Sequence, residues 1–97
     1  MKEITVRSYS DESNQVILQT PGRNFPGSMI QGDQLRSLLR LTQRALGHIE
    51  AKDYEEAADE LRDLEERLME RCLHYERTLR SHGMELPYPD EVTAKQS

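Results

Sequence analysis

The segment from Asp53 to His82 most constrains the fold, because it carries one long, uninterrupted helical pattern. Nothing interrupts this pattern before Gly83. Apolar residues recur along the segment at close to heptad spacing, as expected for one face of a helix: Tyr54, Ala57, Leu61, Leu64, Leu68, Tyr75 and Leu79. At 1.5 Å per residue, such a helix extends for roughly 43 Å. A large part of this 97-residue chain is therefore assigned to a single helix.

A shorter helical pattern precedes the long one and begins at Asp33. Its apolar residues are spaced three and four apart: Leu35, Leu38, Leu39, Thr42, Leu46 and Ile49. Asp33 is expected to open this helix by accepting a hydrogen bond from a free backbone N–H. Asp53, followed by Glu56 three residues later, opens the second helix as an acidic variant of the capping box. The tight connection between them predicts an antiparallel hairpin that leaves the last turns of the longer helix uncovered.

The first twenty residues carry the signature of strands. Ile4 and Val6 alternate with polar residues, which is typical of a half-buried strand. Residues 10–14 predict a turn, and the β-branched run in residues 15–20 predicts a second strand that pairs with the first. Met29 and Ile30 either add a third short strand or insert into the core.

These patterns together predict an α+β fold. An N-terminal β-hairpin packs on an antiparallel hairpin of one shorter and one long α-helix. We expect a single domain over residues 1–92, followed by a disordered tail at residues 93–97, since the polar chain end lacks apolar anchors.

The connector from Pro21 to Asp33 is unusually rich in residues that shape the backbone. It holds three of the five glycines, two of the four prolines and the only phenylalanine of the chain. A simple connection needs neither this length nor apolar residues alternating with turn formers. We therefore interpret the segment as a shaped binding loop, with Arg23, Phe25 and Met29 as candidate anchors because these residue types are enriched at interfaces. The alternative for Phe25 is that it caps the core.

Composition excludes several classes of protein. The net charge of −5 argues against general nucleic-acid binding, which normally leaves a basic patch. No apolar run approaches the length of a membrane span, and the N-terminus lacks the apolar stretch of a signal peptide. One cysteine, Cys72, excludes an internal disulfide and is consistent with a reducing cytoplasm. With only 35% hydrophobic residues, the domain would gain burial from a partner or a second copy.

Charge is distributed unevenly along the chain. Residues 21–49 hold four arginines and one aspartate, whereas residues 50–70 hold ten acidic and three basic residues, a net charge of −7. The acidic residues are interpreted either as a solvated helix flank or as a surface for a basic protein partner, such as a nuclease-type toxin. The candidate contacts on this flank are Glu55, Asp59, Glu60 and Asp63.

The residues that could carry chemistry do not form a recognisable catalytic, cofactor or metal motif. Cys72 and His74 are two positions apart on a helix, which separates them by about 200° and does not suit a shared metal. Arg77 and His82 are five positions apart and resemble the ribonuclease motif of the all-helical HEPN domains. In that case the arginine would stabilise phosphate charge and the histidine would transfer a proton. We predict a protein without enzymatic activity, cofactor or metal, and keep the ribonuclease as the less favoured alternative.

Residues 18–35 resemble a family of small uncharacterised bacterial proteins. The similarity rests on the Arg23-x-Phe25-Pro26-Gly27 and Gln31-Gly32-Asp33 segments, which are followed by helices. Proteins of this kind look like immunity or accessory proteins of bacterial toxin systems. The resemblance implies a small cytoplasmic protein that binds another protein, with no catalytic motif to carry over.

Two binding hypotheses follow. In the first, the protein is an immunity protein that neutralises a cognate toxin by stoichiometric binding. In the second, it is a structural homodimer or accessory protein without a toxin target, joined through the long helix around Met69, Leu73 and Tyr75. The two hypotheses are compatible.

Overall fold

The computed structural model describes residues 1–10 and 15–95, and the α+β fold predicted from the sequence is confirmed. The described residues form three strands and three helices: β1 (Arg7–Ser10), β2 (Ile17–Gln19), β3 (Gly27–Ser28), α1 (Gly32–Glu50), α2 (Tyr54–Ser81) and α3 (Val92–Lys95). The turn predicted at residues 10–14 lies outside the described residues after Ser10. In the described part of the chain, no helix combines the length and apolar character needed to span a bilayer.

The contacts within the chain group it into two compact units, and the single domain over residues 1–92 stays a prediction. One unit, here called the strand unit, comprises Met1–Ile30 and Arg71–Ser97. The other, the helical unit, comprises Gln31–Glu70. Helix α2 contributes its first part to the helical unit and its last part to the strand unit.

The sheet of the strand unit is antiparallel throughout, with the strand order β1-β2-β3. Arg7 lies opposite Gln19 and Ser8 opposite Leu18, but Ser10 lies opposite Ile17, so Tyr9 is an extra residue in β1. Such a bulge bends the strand and redirects a side chain. The pairing begins later than the Ile4–Val6 alternation predicts, because β2 has only three residues and pairs no earlier than Arg7.

A tight turn and a short third strand follow β2. Pro21 and Gly22 occupy the centre of the turn, Gly22 has φ +82°, and the Arg23 N–H donates to the Thr20 carbonyl at 3.3 Å. Proline followed by a residue with positive φ is the pattern of a type II turn. The third strand is Gly27–Ser28 rather than residues 29–30, although the Met29 N–H still donates to the Val16 carbonyl at 2.8 Å.

The core of the strand unit is built between β2 and the end of α2. Ile17 and Leu79 are 0% exposed and Tyr75 is 8% exposed. Four partly buried side chains pack around these three: Tyr9, Met84, Leu86 and Tyr88. The helix ends as predicted at Gly83, whose φ of +67° lets the Met84 N–H donate back to the Leu79 carbonyl at 3.0 Å. The chain after α2 thereby returns to the core.

The helical unit is the predicted antiparallel hairpin, but its buried stripe differs from the expected one. The residues that α1 and α2 bury here are Leu41, Ala45 and Ala57, and Arg67 donates from Nη1 to Ser37 Oγ at 3.1 Å. Four of the six α1 residues expected to face the core are exposed: Leu35, Leu39, Leu46 and Ile49. The side of α1 that carries Leu41 and Ala45 is therefore the buried one, rather than the side with more leucines.

The helix starts agree with the prediction at α2 and differ at α1. Asp53 Oδ1 accepts a hydrogen bond from the Glu56 N–H at 3.4 Å, as a capping residue does. Helix α1 begins at Gly32, and its N-cap residue Gln31 makes no side-chain cap. Asp33 therefore lies inside the first turn, where its carboxylate accepts from the Gln34 N–H at 3.0 Å and complements the helix dipole.

Candidate interaction surfaces

The connector between β2 and α1 is fixed at its centre and exposed on both sides of that point. Pro26 is buried, and its carbonyl accepts a hydrogen bond from the Tyr75 hydroxyl at 2.6 Å. Arg71 donates from Nη1 to the Met29 carbonyl at 3.2 Å. Phe25 and Met29 each remain 39% exposed. The segment thus presents two apolar side chains from a backbone held by α2.

Arg23, the third predicted anchor, lies at the end of the β2 turn and is exposed. Its backbone carbonyl accepts a hydrogen bond from Gln19 Nε2 at 2.7 Å, and Gln19 Oε1 in turn accepts from the Tyr9 hydroxyl at 2.9 Å. This chain of bonds fixes the backbone of Arg23 against the sheet. Its guanidinium is available to an incoming group.

The predicted acidic contacts lie on α2 in the helical unit, and we call Glu55, Asp59, Glu60 and Asp63 the acidic row. Asp59 pairs with Arg62 at 2.8 Å and Asp63 pairs with Arg67 at 3.1 Å, both within the helix. Exposed pairs of this kind contribute about 0–1 kcal/mol and are readily exchanged for a partner's cation. Among the described residues, no ion pair joins the acidic row to the arginines of α1.

The dimer contact predicted around Met69, Leu73 and Tyr75 includes one residue that is buried within the strand unit. Tyr75 is a core residue of the strand unit, with its ring buried and its hydroxyl bonded to the Pro26 carbonyl. Met69 and Leu73 are half-buried. The heptad pattern alone could not show this, because it depends on the connector returning to α2.

Cys72 and His74 take structural roles on α2. Burial raises the pKa of the Cys72 thiol, and the negative charge of Glu76 raises it further. His74 Nε2 lies 2.9 Å from Ser10 Oγ and so links α2 to the end of β1. Within the described residues, no three histidine, cysteine or carboxylate side chains converge as metal ligands would.

Arg77 and His82 lie in different surroundings. Arg77 is exposed, whereas His82 Nδ1 lies 2.9 Å from the Thr78 carbonyl. The His82 ring also meets Tyr9 edge-on, with ring centroids 5.0 Å apart. In the described residues no contact joins the arginine to the histidine, and the imidazole is engaged with its own helix and with β1.

The most strongly organised polar site was not predicted from the sequence. The Glu76 carboxylate is 0% exposed and accepts four hydrogen bonds. The Tyr88 hydroxyl donates to it at 2.6 Å, the backbone N–H groups of Val92 and Thr93 donate at 3.0 and 2.8 Å, and the Thr93 hydroxyl donates at 2.8 Å. The carboxylate thereby fixes the C-terminal segment to α2.

The hydrogen bonds determine the charge of this carboxylate. Burial alone raises the pKa of Glu76, but the bonds from Tyr88, Thr93 and Val92 outweigh it and lower the pKa to about 2. Burial also raises the pKa of Tyr88, and the adjacent Glu76 raises it further, so the phenol stays protonated and keeps donating. Glu76 is thus a buried, permanently charged structural group near neutral pH.

Thr93 belongs to the segment that the sequence predicts to be disordered. The structure gives Val92–Lys95 as α3, and Arg80 forms an ion pair with Glu91 just before it. Polar groups rather than apolar ones hold Thr93 to α2. Residues 96–97 of the predicted tail lie outside the described residues. The sequence signal available for the anchor was a glutamate directly beside Tyr75 and three positions before Leu79, on the most apolar part of α2.

Comparison with known proteins places the chain in a family without assigning it an activity. A model described as "Family of unknown function (DUF6959)" matches residues 1–88, which include all three strands, α1 and α2. Neither the curated proteins nor the solved structures contain a match to the chain. The chain therefore belongs to the DUF6959 family of unknown function.

Proposed function

We propose that the protein is a non-enzymatic binding module of the bacterial cytoplasm that neutralises a basic toxin domain by stoichiometric binding. The observation that carries this proposal is the acidic row on α2. Its carboxylates are balanced only by Arg62 and Arg67 of the same helix among the described residues. The choice of partner is supported by the resemblance of residues 18–35 to small uncharacterised bacterial proteins that look like immunity or accessory proteins of toxin systems.

The charge of this part of α2 suits recognition of a cationic surface. Residues 50–70 carry a net charge of −7. Complementary charge steers diffusional encounter and disfavours wrong partners. Active sites that bind nucleic acid are themselves basic, because they neutralise phosphates. An acidic helix flank therefore offers a toxin of this class the charge it normally finds in its substrate.

The exposed apolar side chains of the connector provide a separate contact. Phe25 and Met29 are presented from a backbone that Tyr75 and Arg71 hold in place. Preorganised apolar anchors add affinity because little conformational freedom is lost on binding. In this proposal the acidic row governs the rate and salt dependence of association, whereas the connector slows dissociation.

The proposal is tested first by identifying the product of the adjacent gene and then, with a basic nuclease-type toxin domain from that gene purified as a catalytically inactive variant, by measuring binding. Titration calorimetry should show binding with equal stoichiometry. The triple variant Asp59→Lys/Glu60→Lys/Asp63→Lys should weaken binding on the order of 100-fold, because it reverses the charge that meets the basic surface.

A matched control reverses three exposed acidic residues that lie outside the acidic row. Glu3→Lys/Glu85→Lys/Asp90→Lys produces the same change in net charge and should alter affinity by no more than about threefold. Circular dichroism of both variants reports whether helix is retained. Equal losses in the two variants would show that only net charge matters. An absence of binding by the unmodified protein would refute toxin neutralisation itself.

A further inference from the structure

The helical unit exposes an extended apolar face. Seven large apolar side chains of this unit are between 42% and 62% exposed: Leu35, Leu39, Leu46 and Ile49 of α1, and Tyr54, Leu61 and Leu68 of α2. We call these seven residues the outer apolar face. Single exposed leucines need no explanation, but a group of this size on two adjoining helices is typical of an interaction surface.

Helix geometry places the two stripes of this face on one side of the hairpin. At 100° per residue, the exposed stripe of α1 is rotated roughly 100° from its buried stripe at Leu41 and Ala45. The exposed stripe of α2 is rotated roughly 50° from its buried stripe at Ala57. The hydrogen bond between Ser37 and Arg67 marks the opposite flank of both helices. Because both exposed stripes turn away from that bond, they form one continuous face.

The face has the size of a protein interface. Seven large side chains that are about half exposed present on the order of 700 Å² of apolar surface. A standard interface takes about 800 Å² from each partner, and the largest apolar patch of a typical monomer covers roughly 300–600 Å². The outer apolar face therefore suffices for a dimer once the side chains at its edges are included.

The charges beside this face favour a second copy of the chain as the binding partner and indicate how the two copies are oriented. Arg36 lies beside the α1 stripe, whereas Glu65 lies beside the α2 stripe. The Ser37–Arg67 bond sets the level of the two antiparallel helices, so Arg36 lies within about one turn of the level of Glu65. Stacking α1 on α1 and α2 on α2 would bring like charges together. Stacking each α1 on the other copy's α2 brings Arg36 to Glu65.

We propose that a second copy of this chain covers the outer apolar face, forming a two-fold symmetric four-helix bundle in which each α1 lies on the partner's α2. The apolar stripes form the centre of this bundle, and Arg36 pairs with Glu65 across its edge. Asp59 and Asp63 of the acidic row lie on the other side of α2, away from the partner. The dimer thus does not depend on the proposed function, and each copy keeps its acidic row accessible.

Sedimentation equilibrium of the full chain at micromolar concentrations tests the proposal directly. The expected mass is twice the chain mass of 11.3 kDa. The variant Leu39→Glu/Leu46→Glu should weaken dimerisation on the order of 100-fold, because it buries two carboxylates in the apolar centre. Its control, Arg40→Gln/Arg44→Gln, changes the net charge equally on the other side of α1 and should leave the mass unchanged.

Two outcomes would overturn the dimer. One is a monomer of the unmodified chain at these concentrations, which would leave the face to a different protein. The other is an unchanged dimer in the Leu39→Glu/Leu46→Glu variant with helix content retained by circular dichroism. If that variant loses helix, Tyr54→Lys/Leu61→Lys on the other helix provides the same test, since both side chains are already partly solvated.

A charge exchange tests the orientation. Arg36→Glu and Glu65→Arg should each weaken the dimer by about tenfold, and combining them should restore it. In the alternative stacking of α1 on α1, Arg36→Glu would replace the repulsion between two arginines by one between two glutamates and would not be rescued by changes on α2. A tighter Arg36→Glu dimer, or failure of the combined variant to recover, would overturn the proposed orientation.

Discussion

The two parts of helix α2 share one apolar rhythm but differ in what covers it. In the helical unit, Tyr54, Leu61 and Leu68 are 45–62% exposed. In the strand unit, the same rhythm continues through Tyr75 and Leu79, which are at most 8% exposed. The comparison shows that periodicity identifies a helix and its apolar side. Burial of that side depends on which other segments of the chain pack against it.

In the strand unit, three separate segments of the chain pack against the apolar side of α2. Strand β2 supplies Ile17, the connector supplies the Pro26 carbonyl, and the chain after Gly83 supplies Met84, Leu86 and Tyr88. In the helical unit, α1 meets α2 through Leu41 and the small residues Ala45 and Ala57. One part of α2 is therefore a core helix, and the other is half of a hairpin with an open face.

The strongest test of this contrast replaces one leucine by alanine in each part of α2. Leu79→Ala should lower the free energy of unfolding by about 2–5 kcal/mol, because Leu79 is fully buried and its loss leaves a cavity. Leu61→Ala should cost less than about 1 kcal/mol in a monomeric sample, because Leu61 is 45% exposed. Urea denaturation followed by circular dichroism measures both, and equal losses would break the comparison.

The pH dependence of stability should be specific to the strand unit. The pKa of Glu76 is lowered from its ordinary value of 4.5 to about 2, so the folded state favours the charged form. The resulting stabilisation is fully present above the unfolded value and is lost as pH falls through the folded value, an effect of about 3 kcal/mol.

Comparison with the Glu76→Gln variant isolates this contribution from that of the other carboxylates. The variant should be less stable near neutral pH, and its stability should fall less steeply than that of the unmodified chain between pH 4.5 and about 2. Parallel stability curves for the two proteins over this range would show that Glu76 does not favour its charged form on folding.

A matched pair of tyrosines gives a smaller effect. Tyr75→Phe removes the donor to the Pro26 carbonyl and should cost about 1–2 kcal/mol, because that carbonyl is left buried without its partner. Tyr54→Phe changes an exposed ring and should alter the free energy of unfolding by less than about 0.5 kcal/mol. Equal shifts of the denaturation curves of the two variants would show that the Tyr75 hydroxyl does not help to hold the connector.

The smallest expected effect concerns the link between α1 and α2. Lys52 adopts φ +63°, a conformation that side chains with a Cβ disfavour. Lys52→Gly should therefore raise the free energy of unfolding by about 0.5–1 kcal/mol, whereas Ala51→Gly, at φ −83°, should lower it by a similar amount. Two changes of the same sign would contradict this interpretation of the link.

Local signals predicted the elements well. The apolar rhythm, Asp53 and Gly83 predicted α2 and both of its ends, because each signal acts within a few residues of the chain. The same reasoning chose the wrong inward side of α1. Leu35, Leu39 and Leu46 form the more apolar stripe, but the residues buried in the helical unit are Leu41, Ala45 and Ala57.

The hydrogen bonds that Glu76 accepts in the strand unit could not be predicted from the sequence, for a different reason. Glu76 and Thr93 are 17 residues apart, and their contact exists only because the chain reverses at Gly83. A glutamate on a helix in an acidic protein resembles any other solvated residue until its donors are located. The candidate anchors Arg23, Phe25 and Met29 were predicted more easily, since unusual local composition marks the segment that carries them.

The four bonds to Glu76 have a practical consequence for shortening this protein. The family match ends at residue 88, yet three of the four donors to the carboxylate come from Val92 and Thr93. A chain trimmed to the matched region would keep only the Tyr88 hydroxyl as a donor to Glu76. The Glu76 carboxylate, which is buried in the full chain, would then be exposed to solvent. Boundaries for expression, and the attachment point of any C-terminal tag, therefore belong beyond Lys95.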